Sequence, residues 1–130
     1  MKTHAIDKET KDIVKAIIHG ENRRKARKQK GQQTSFDRTI DAAIKTAKKE
    51  LTTALAKEME LDPCRKLVDS IYKSLLYNTP WELAGETYIC RRLYYNYRTE
   101  LCYLIAVNLD LISRPGAAVR SLTGQNRPGK

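Results

Sequence analysis

The sequence has few residues with metal-binding chemistry. Its 130 residues include three cysteines and two histidines. Cys64, Cys90 and Cys102 form no C-x-x-C pair, and His4 and His19 lie far from them along the chain, which is not the spacing of a zinc site. An odd number of cysteines cannot close completely into intramolecular disulfides, which favours a reducing, cytoplasmic setting. We therefore predict no bound metal.

Long apolar runs, phosphate-loop glycine motifs, internal repeats and strand alternation are missing as well. No run approaches the roughly 20 residues that span a bilayer, and the N-terminus has no apolar signal region. A catalytic group of converging side chains is also missing, because the acidic residues fall mainly in helix first turns or among lysines. The sequence thus predicts an all-α protein that is not an enzyme, has no cofactor and contacts no membrane.

Positive charge is concentrated in the two ends of the chain. The formal net charge is +10. Residues 1–31 hold ten basic and four acidic residues, and residues 113–130 hold four basic residues, whereas 32–61 and 62–112 each carry equal numbers of both signs. Basic arms around a neutral core suit contacts with nucleic-acid phosphates, although surface charge also serves solubility.

Residues 1–33 are predicted to form an N-terminal helix followed by a basic segment. Isoleucine and valine recur at helical spacing up to about His19, and Gly20 ends or interrupts the helix. The segment that follows has no apolar residue larger than alanine, so it is either a solvated helix extension or a mobile basic loop. Its predicted phosphate-binding residues are Arg23, Arg24, Lys25, Arg27, Lys28 and Lys30.

A helical core is predicted over residues 34–112. Thr34 or Ser35 caps a long helix whose apolar stripe suits packing into this core. The stripe consists of Phe36, Ile40, Ile44, Ala47, Leu51, Leu55 and Met59. The same spacing would also pair two chains, so homodimerisation stays open. Asp62-Pro63 then reads as a cap and first residue of the next helix.

The stretch from Asn78 to Leu111 combines a helix start, a short turn and a second helix with adjacent arginines. Thr79-Pro80-Trp81-Glu82 has the pattern of a capping box, which opens the first helix. The apolar pattern breaks over residues 86–89 and resumes from Cys90 to about Leu109. We therefore predict a helix-turn-helix over about residues 79–109.

The outward side of the second helix carries side chains that are able to bond base edges. Tyr94, Tyr97 and Leu101 are predicted to pack inward, which leaves a polar side toward solvent. The predicted base-reading residues on that side are Arg91, Arg92, Tyr95, Asn96 and Thr99. The alternative is an ordinary helical hairpin whose arginines are only solvated.

A family resemblance covers residues 62–112. It rests on W-E-L-A-G-E-x-Y-I-C-x-R-x-Y-Y-x-Y-R, ending in V-N-L-D-L-I, which is similar to phage-type late-gene transcriptional activators of the RinA and ArpU group. The resemblance implies a sigma-factor region 4-like helix-turn-helix and a regulator that binds double-stranded DNA sequence-specifically. Tyr88, where many such units have glycine, and Cys90, where serine or threonine is usual, depart from the family pattern.

Two other functions fit the same features. Sigma region 4-like modules also contact RNA polymerase, so a protein-interaction adaptor is one alternative. A small terminase-like component of phage DNA packaging is the other. Residues 113–130 hold little apolar material and several helix breakers, so we expect a flexible basic tail under each of these functions.

Overall fold

The computed structural model describes residues 3–83 and 89–113. Within these ranges the chain forms five α-helices and one 3-10 turn and no strand, which confirms the all-α prediction. The elements are α1 (Lys8–His19), α2 (Glu21–Gln29), α3 (Ser35–Leu55), α4 (Leu61–Tyr77), the 3-10 turn (Trp81–Leu83) and α5 (Arg91–Asn108). No helix in the described ranges is long and apolar enough to cross a membrane. The predicted tail beyond residue 113 and most of the predicted turn, including Tyr88, lie outside the described residues.

The basic segment is a helix and follows α1 almost directly. Asp7 caps α1 by accepting from the backbone N–H of Thr10 at 3.0 Å, and Gly20 separates α1 from α2. Of the two structures predicted for this segment, the helix extension is therefore the one observed. Gly31 follows α2 with a φ of 71°, in the left-handed region that glycine adopts without steric cost.

A reciprocal capping box fixes the start of α3. The Asp37 N–H donates to Thr34 Oγ1 at 3.0 Å, and the Asp37 carboxylate accepts from the Thr34 N–H at 3.3 Å, which confirms the predicted Thr34 cap. The predicted apolar stripe is buried from Ile40 to Leu55 and half-buried at Met59, but Phe36 is 67% exposed. Because its neighbour Asp37 turns inward, Phe36 lies at the rim. The helix also ends at Leu55, four residues before the predicted end of the stripe.

α4 begins two residues earlier than the sequence predicts. Glu60 is its N-cap, so Asp62 and Pro63 lie inside the first turn and not at the cap. Proline is tolerated there because the first-turn N–H groups have no intrahelical acceptor. The helix ends at Asn78, whose φ of 53° and ψ of 45° are left-handed, and this confirms the predicted stop.

The second half of α5 forms the centre of the core. Residues 100–107 of this helix are buried, and α1, α3 and α4 all pack against α5. Tyr94 is 0% and Tyr97 is 6% exposed, which confirms their predicted inward position. The Tyr94 hydroxyl donates to the Ser70 carbonyl at 3.1 Å, so its polar end is satisfied inside the core. A helix buried on nearly every side is held rigidly.

The acidic residue of α5 is held by the N-terminal segment of the chain. Glu100 is 4% exposed, and its carboxylate accepts from the His4 backbone N–H at 2.7 Å. His4 Nδ1 lies 3.1 Å from the second carboxylate oxygen, and the His4 ring stacks on Tyr103 with centroids 4.2 Å apart. A buried carboxylate needs such partners. The residues before α1 therefore belong to the packed structure.

Candidate nucleic-acid interface

The first half of α5 places the predicted base-reading residues along one side of the helix. Arg91, Arg92 and Asn96 are exposed, and Tyr95 and Thr99 are half-buried. The helix begins after Cys90, whose thiol makes no capping bond, and its first turn contains no acidic residue. Because first-turn N–H groups lack intrahelical acceptors, the helix dipole adds positive potential to that of the two arginines. This end of α5 is electrostatically suited to an anionic partner.

Tyr95 is held between two guanidinium groups. Its ring centroid lies 5.2 Å from Arg91 Cζ and 5.0 Å from Arg98 Cζ. Its hydroxyl accepts from the backbone N–H of Trp81 at 3.1 Å. These contacts tie the 3-10 turn to α5 and restrain Arg91. Tyr95 thus packs against Arg91 and Arg98, and its predicted base contact stays a prediction.

The start of the predicted first reading helix differs from the capping box that its sequence indicates. The Thr79 N–H donates to an α4 carbonyl at 2.9 Å, while the Glu82 carboxylate lies 3.4 Å from Arg91 Nε. Glu82 therefore pairs with α5, and its predicted contact with Thr79 is wrong. Trp81 is half-buried against the core, and its Nε1 donates to the Ile89 carbonyl at 3.3 Å. Only a 3-10 turn of this predicted helix falls within the described residues.

Two lysines of α1 and a further arginine extend the basic surface beside α5. Lys11 Nζ donates to Thr99 Oγ1 at 3.4 Å. Burial raises the pKa of the Cys102 thiol, and the charges of Lys11, Lys15 and Arg98 oppose that shift, so all three lie near it. The sequence prediction missed these three residues: the approach of Lys11 and Lys15 depends on how α1 packs against α5, whereas Arg98 lies on α5 itself. The spacing of Lys11 and Lys15 by four residues, which places them on one side of a helix, is the signal that was present.

Arg24 and Arg27, two of the predicted phosphate-binding residues, hold α2 against its neighbours. Arg24 is 4% exposed, and its guanidinium donates to Asp41 at 3.0 Å and to the Ile17 carbonyl at 2.6 Å. Arg27 donates to both carboxylate oxygens of Asp37, each at 2.6 Å, and these bonds lower the pKa of Asp37 to about 2. In this geometry neither arginine is free to meet a phosphate. The acids that capture them lie on α3, which the sequence of α2 could not show.

The lysines of α2 line a cavity of about 380 Å³ between α2, α3 and α4. Its charged lining residues are Lys25, Lys28, Lys45, Lys48, Glu21 and Asp41. Four lysines against two carboxylates give the lining a net charge of +2. Lysines from two helices that converge on one cavity suit a phosphate group. The sequence prediction included Lys25 and Lys28 and missed Lys45 and Lys48, which belong to α3.

An aromatic ring forms part of the wall of this lysine cavity. Lys48 Nζ lies 4.6 Å from the centroid of the Tyr72 ring, and the Tyr72 hydroxyl donates to Glu21 at 2.7 Å. Burial, followed by that hydrogen bond, raises the pKa of Tyr72, so its hydroxyl stays a donor. Arg23 and Lys30, the other two predicted phosphate-binding residues, are exposed and lie outside the lining of this cavity.

The described residues offer no metal centre beside the basic surfaces. Among these residues, no group of three or more histidine, cysteine, aspartate or glutamate side chains could hold a metal ion. Comparisons of the chain with protein-family models, with curated proteins and with solved structures found no match. The resemblance to phage late-gene activators therefore stays a prediction, and the functional assignment rests on the geometry of the basic surfaces.

Proposed function

We propose that this chain is a sequence-specific, double-stranded DNA-binding transcriptional regulator that presents the first half of α5 to the major groove. The observation that carries the proposal is the contrast within α5. Arg91, Arg92 and Asn96 project from its first turns into solvent, whereas its second half is fixed in the core. Recognition requires reading residues that a rigid scaffold supports, and α5 has that construction.

The exposed side chains divide into base-reading and phosphate-binding groups. The guanidinium groups of Arg91 and Arg92 can form two parallel hydrogen bonds to O6 and N7 of guanine. The amide of Asn96 can form the corresponding pair with N6 and N7 of adenine. Lys11 and Lys15 flank this side from α1, and lysine is suited to phosphates, which fix the orientation of a protein on the duplex. In this proposal α5 supplies the sequence preference, and α1 fixes the position and orientation of the protein on the duplex.

The ion pair between Glu82 and Arg91 is compatible with a base contact. Both side chains are more than half exposed, at 58% and 66%, and Glu82 Oε1 lies 3.4 Å from Arg91 Nε. Exposed pairs of this kind contribute only about 0 to 1 kcal/mol, so DNA displaces Glu82 at little cost. Glu82 also disfavours non-cognate phosphate contacts by the arginine, which supports specificity.

The lysine cavity between α2 and α3 supplies a second, sequence-independent phosphate contact in this proposal. Within residues 3–83 and 89–113, Lys28 and Lys45 form no ion pair, so both charges are available. Such contacts raise affinity for every duplex alike and make it strongly dependent on salt. Transcriptional activation, as distinct from DNA binding, is carried over from the family resemblance.

The direct test is selection of duplexes from a randomised pool, followed by fluorescence anisotropy at one fixed salt concentration. We expect an enriched duplex to bind at least about a thousandfold more tightly than a scrambled duplex of the same composition. Salt-sensitive binding of equal strength to every duplex would contradict base reading and favour a packaging role. Failure to bind any duplex would favour the protein-interaction adaptor.

A further inference from the structure

A groove of about 400 Å³ lies where α1, α2 and the first two turns of α3 meet. Its apolar lining residues are Ile13, Ala16, Ile17, Phe36 and Ile40, and its charged lining residues are Arg23, Arg24, Arg27 and Asp37. Phe36 is 67% and Ile13 is 44% exposed. Large apolar side chains that are clustered and exposed around a concave surface mark sites of protein interaction.

Phe36 is held in place at the edge of this groove although the core does not cover it. It lies between the cap residue Thr34 and Asp37, whose carboxylate accepts from both the Thr34 N–H and the Arg27 guanidinium. Tyr77 is equally exposed at 67%, but its hydroxyl can form hydrogen bonds with water. The side chain of Phe36 has no polar atom that could do so. The bonds of Asp37 fix the backbone on both sides of Phe36, and an exposed phenyl ring on a fixed backbone offers a partner an anchor.

We propose that this groove docks an acidic amphipathic helix of a protein partner. Ile13 and Phe36 are the exposed members of two facing apolar ridges. The second members, half-buried Ile17 and buried Ile40, lie four residues further along the same helices. A row of apolar side chains at helical spacing fits between two such ridges. This interaction surface shares no residue with the base-reading side of α5, and the proposal does not depend on DNA binding.

The charge of the groove selects the sign of the partner. Three arginines and one aspartate give the lining a net charge of +2, and Arg23 is exposed while the Arg27 side chain is 39% exposed. Arg24 and Arg27 are already bonded to aspartates of α3. Exposed Arg23 is therefore the guanidinium that a glutamate beside the apolar row of a docked helix would meet. A second copy of this chain fits less well, because a two-fold interface through this face would bring the arginines of both copies together.

The test uses the full chain and two designed peptides of roughly 18 residues, long enough to form a helix. One peptide carries leucines at i, i+4 and i+7 flanked by glutamates, and the other replaces every glutamate by lysine. Binding is followed by 1H–15N NMR titration. We expect the acidic peptide to shift the amides around Ile13, Ile17 and Phe36, and the basic peptide to leave them unchanged.

Two matched substitutions distinguish specific binding in the groove from non-specific binding to an exposed aromatic residue. Phe36→Ser is expected to weaken the acidic peptide at least about tenfold, while Tyr77→Ser, at an equally exposed aromatic residue, leaves its affinity unchanged. Arg23→Glu is expected to reverse the preference toward the basic peptide. Melting temperatures and duplex affinity serve as controls, and we expect Phe36→Ser to change neither.

Several results would overturn the proposal. The proposal of an acidic partner would be wrong if both peptides bind equally, if the amide shifts map elsewhere, or if neither peptide binds. Concentration-dependent dimerisation that Phe36→Ser abolishes, measured by sedimentation, would assign the groove to a second copy of the chain. If the folded wild-type protein binds no duplex, that result counts against the proposed DNA function alone. The peptide titration monitors the groove, which is a separate surface.

Discussion

α2 and the first half of α5 are both rich in arginine, yet their arginines do different things. In α2, Arg24 and Arg27 are bonded to Asp41 and Asp37 of α3 and hold two helices together. In α5, Arg91 and Arg92 are exposed. The difference arises from the neighbouring helix. An arginine opposite a fixed aspartate becomes part of the structure, whereas one at an exposed helix start stays available to a ligand.

This comparison limits what a count of basic residues shows. The sequence indicates the segment around α2 as the stronger candidate for phosphate contact, because six cations lie within the eight residues 23–30. The structure leaves the lysines of α2 and Arg23 accessible and removes Arg24 and Arg27 from that set. Buried charges that are paired belong to the energetics of the fold. Accessible cations are the ones on which a binding proposal can rest.

The largest expected effect is that of breaking the arginine contacts of α2. Arg24→Ala removes hydrogen bonds to Asp41 and Ile17 and the packing of a buried side chain. We expect the free energy of unfolding to fall by about 1 to 3 kcal/mol, as for hydrogen bonds to charged groups. Chemical denaturation followed by circular dichroism measures this. Arg23→Ala, at the exposed neighbour, is the control and should leave the free energy of unfolding unchanged. Equal losses in Arg24→Ala and Arg23→Ala would contradict the structural role of Arg24.

The pair between Arg27 and Asp37 predicts a dependence of stability on pH. The pKa of Asp37 is lowered from 3.8 to about 2, chiefly by the hydrogen bonds from Arg27. Because the folded-state pKa lies below the unfolded value, the stabilisation is present above about pH 4 and is lost as pH falls toward 2. We expect Asp37→Asn to melt below wild type at pH 6, with the gap closing between pH 4 and 2. A gap independent of pH would contradict this role of the pair.

The smallest expected effect on stability is that of a substitution in the first half of α5. Tyr95→Phe removes the acceptor of the Trp81 N–H and leaves the ring between Arg91 and Arg98. We expect a loss of about 0.5 to 1.5 kcal/mol in unfolding free energy. Duplex discrimination should fall only slightly, because the arginines keep their aromatic support. Tyr77→Phe, at an exposed hydroxyl, serves as control, and an equal change there would show that the Trp81 contact is immaterial.

Periodicity in the sequence predicted the helices and most of the core, because burial of an apolar stripe is a local property of a helix. The stripes from Ile40 to Leu55 and the inward Tyr94 and Tyr97 are examples. Exposed Phe36 was assigned to the core, since one apolar residue at the right spacing looks like any other. The capture of α2 arginines by α3 acids, and the approach of Lys11 to Thr99, depend on contacts between distant segments, which no local pattern encodes.

The central claim is that α5 reads bases while the α2–α3 lysines contact only phosphates. Fluorescence anisotropy with enriched and scrambled duplexes over a salt series tests it, using Arg91→Ala/Arg92→Ala against Lys28→Ala/Lys45→Ala. We expect the arginine pair to lose discrimination, at about 1 to 3 kcal/mol for each bidentate contact. The lysine pair should weaken both duplexes alike and reduce the log–log salt slope by roughly 0.9 per contact. Full discrimination retained by a folded Arg91→Ala/Arg92→Ala variant would contradict the claim.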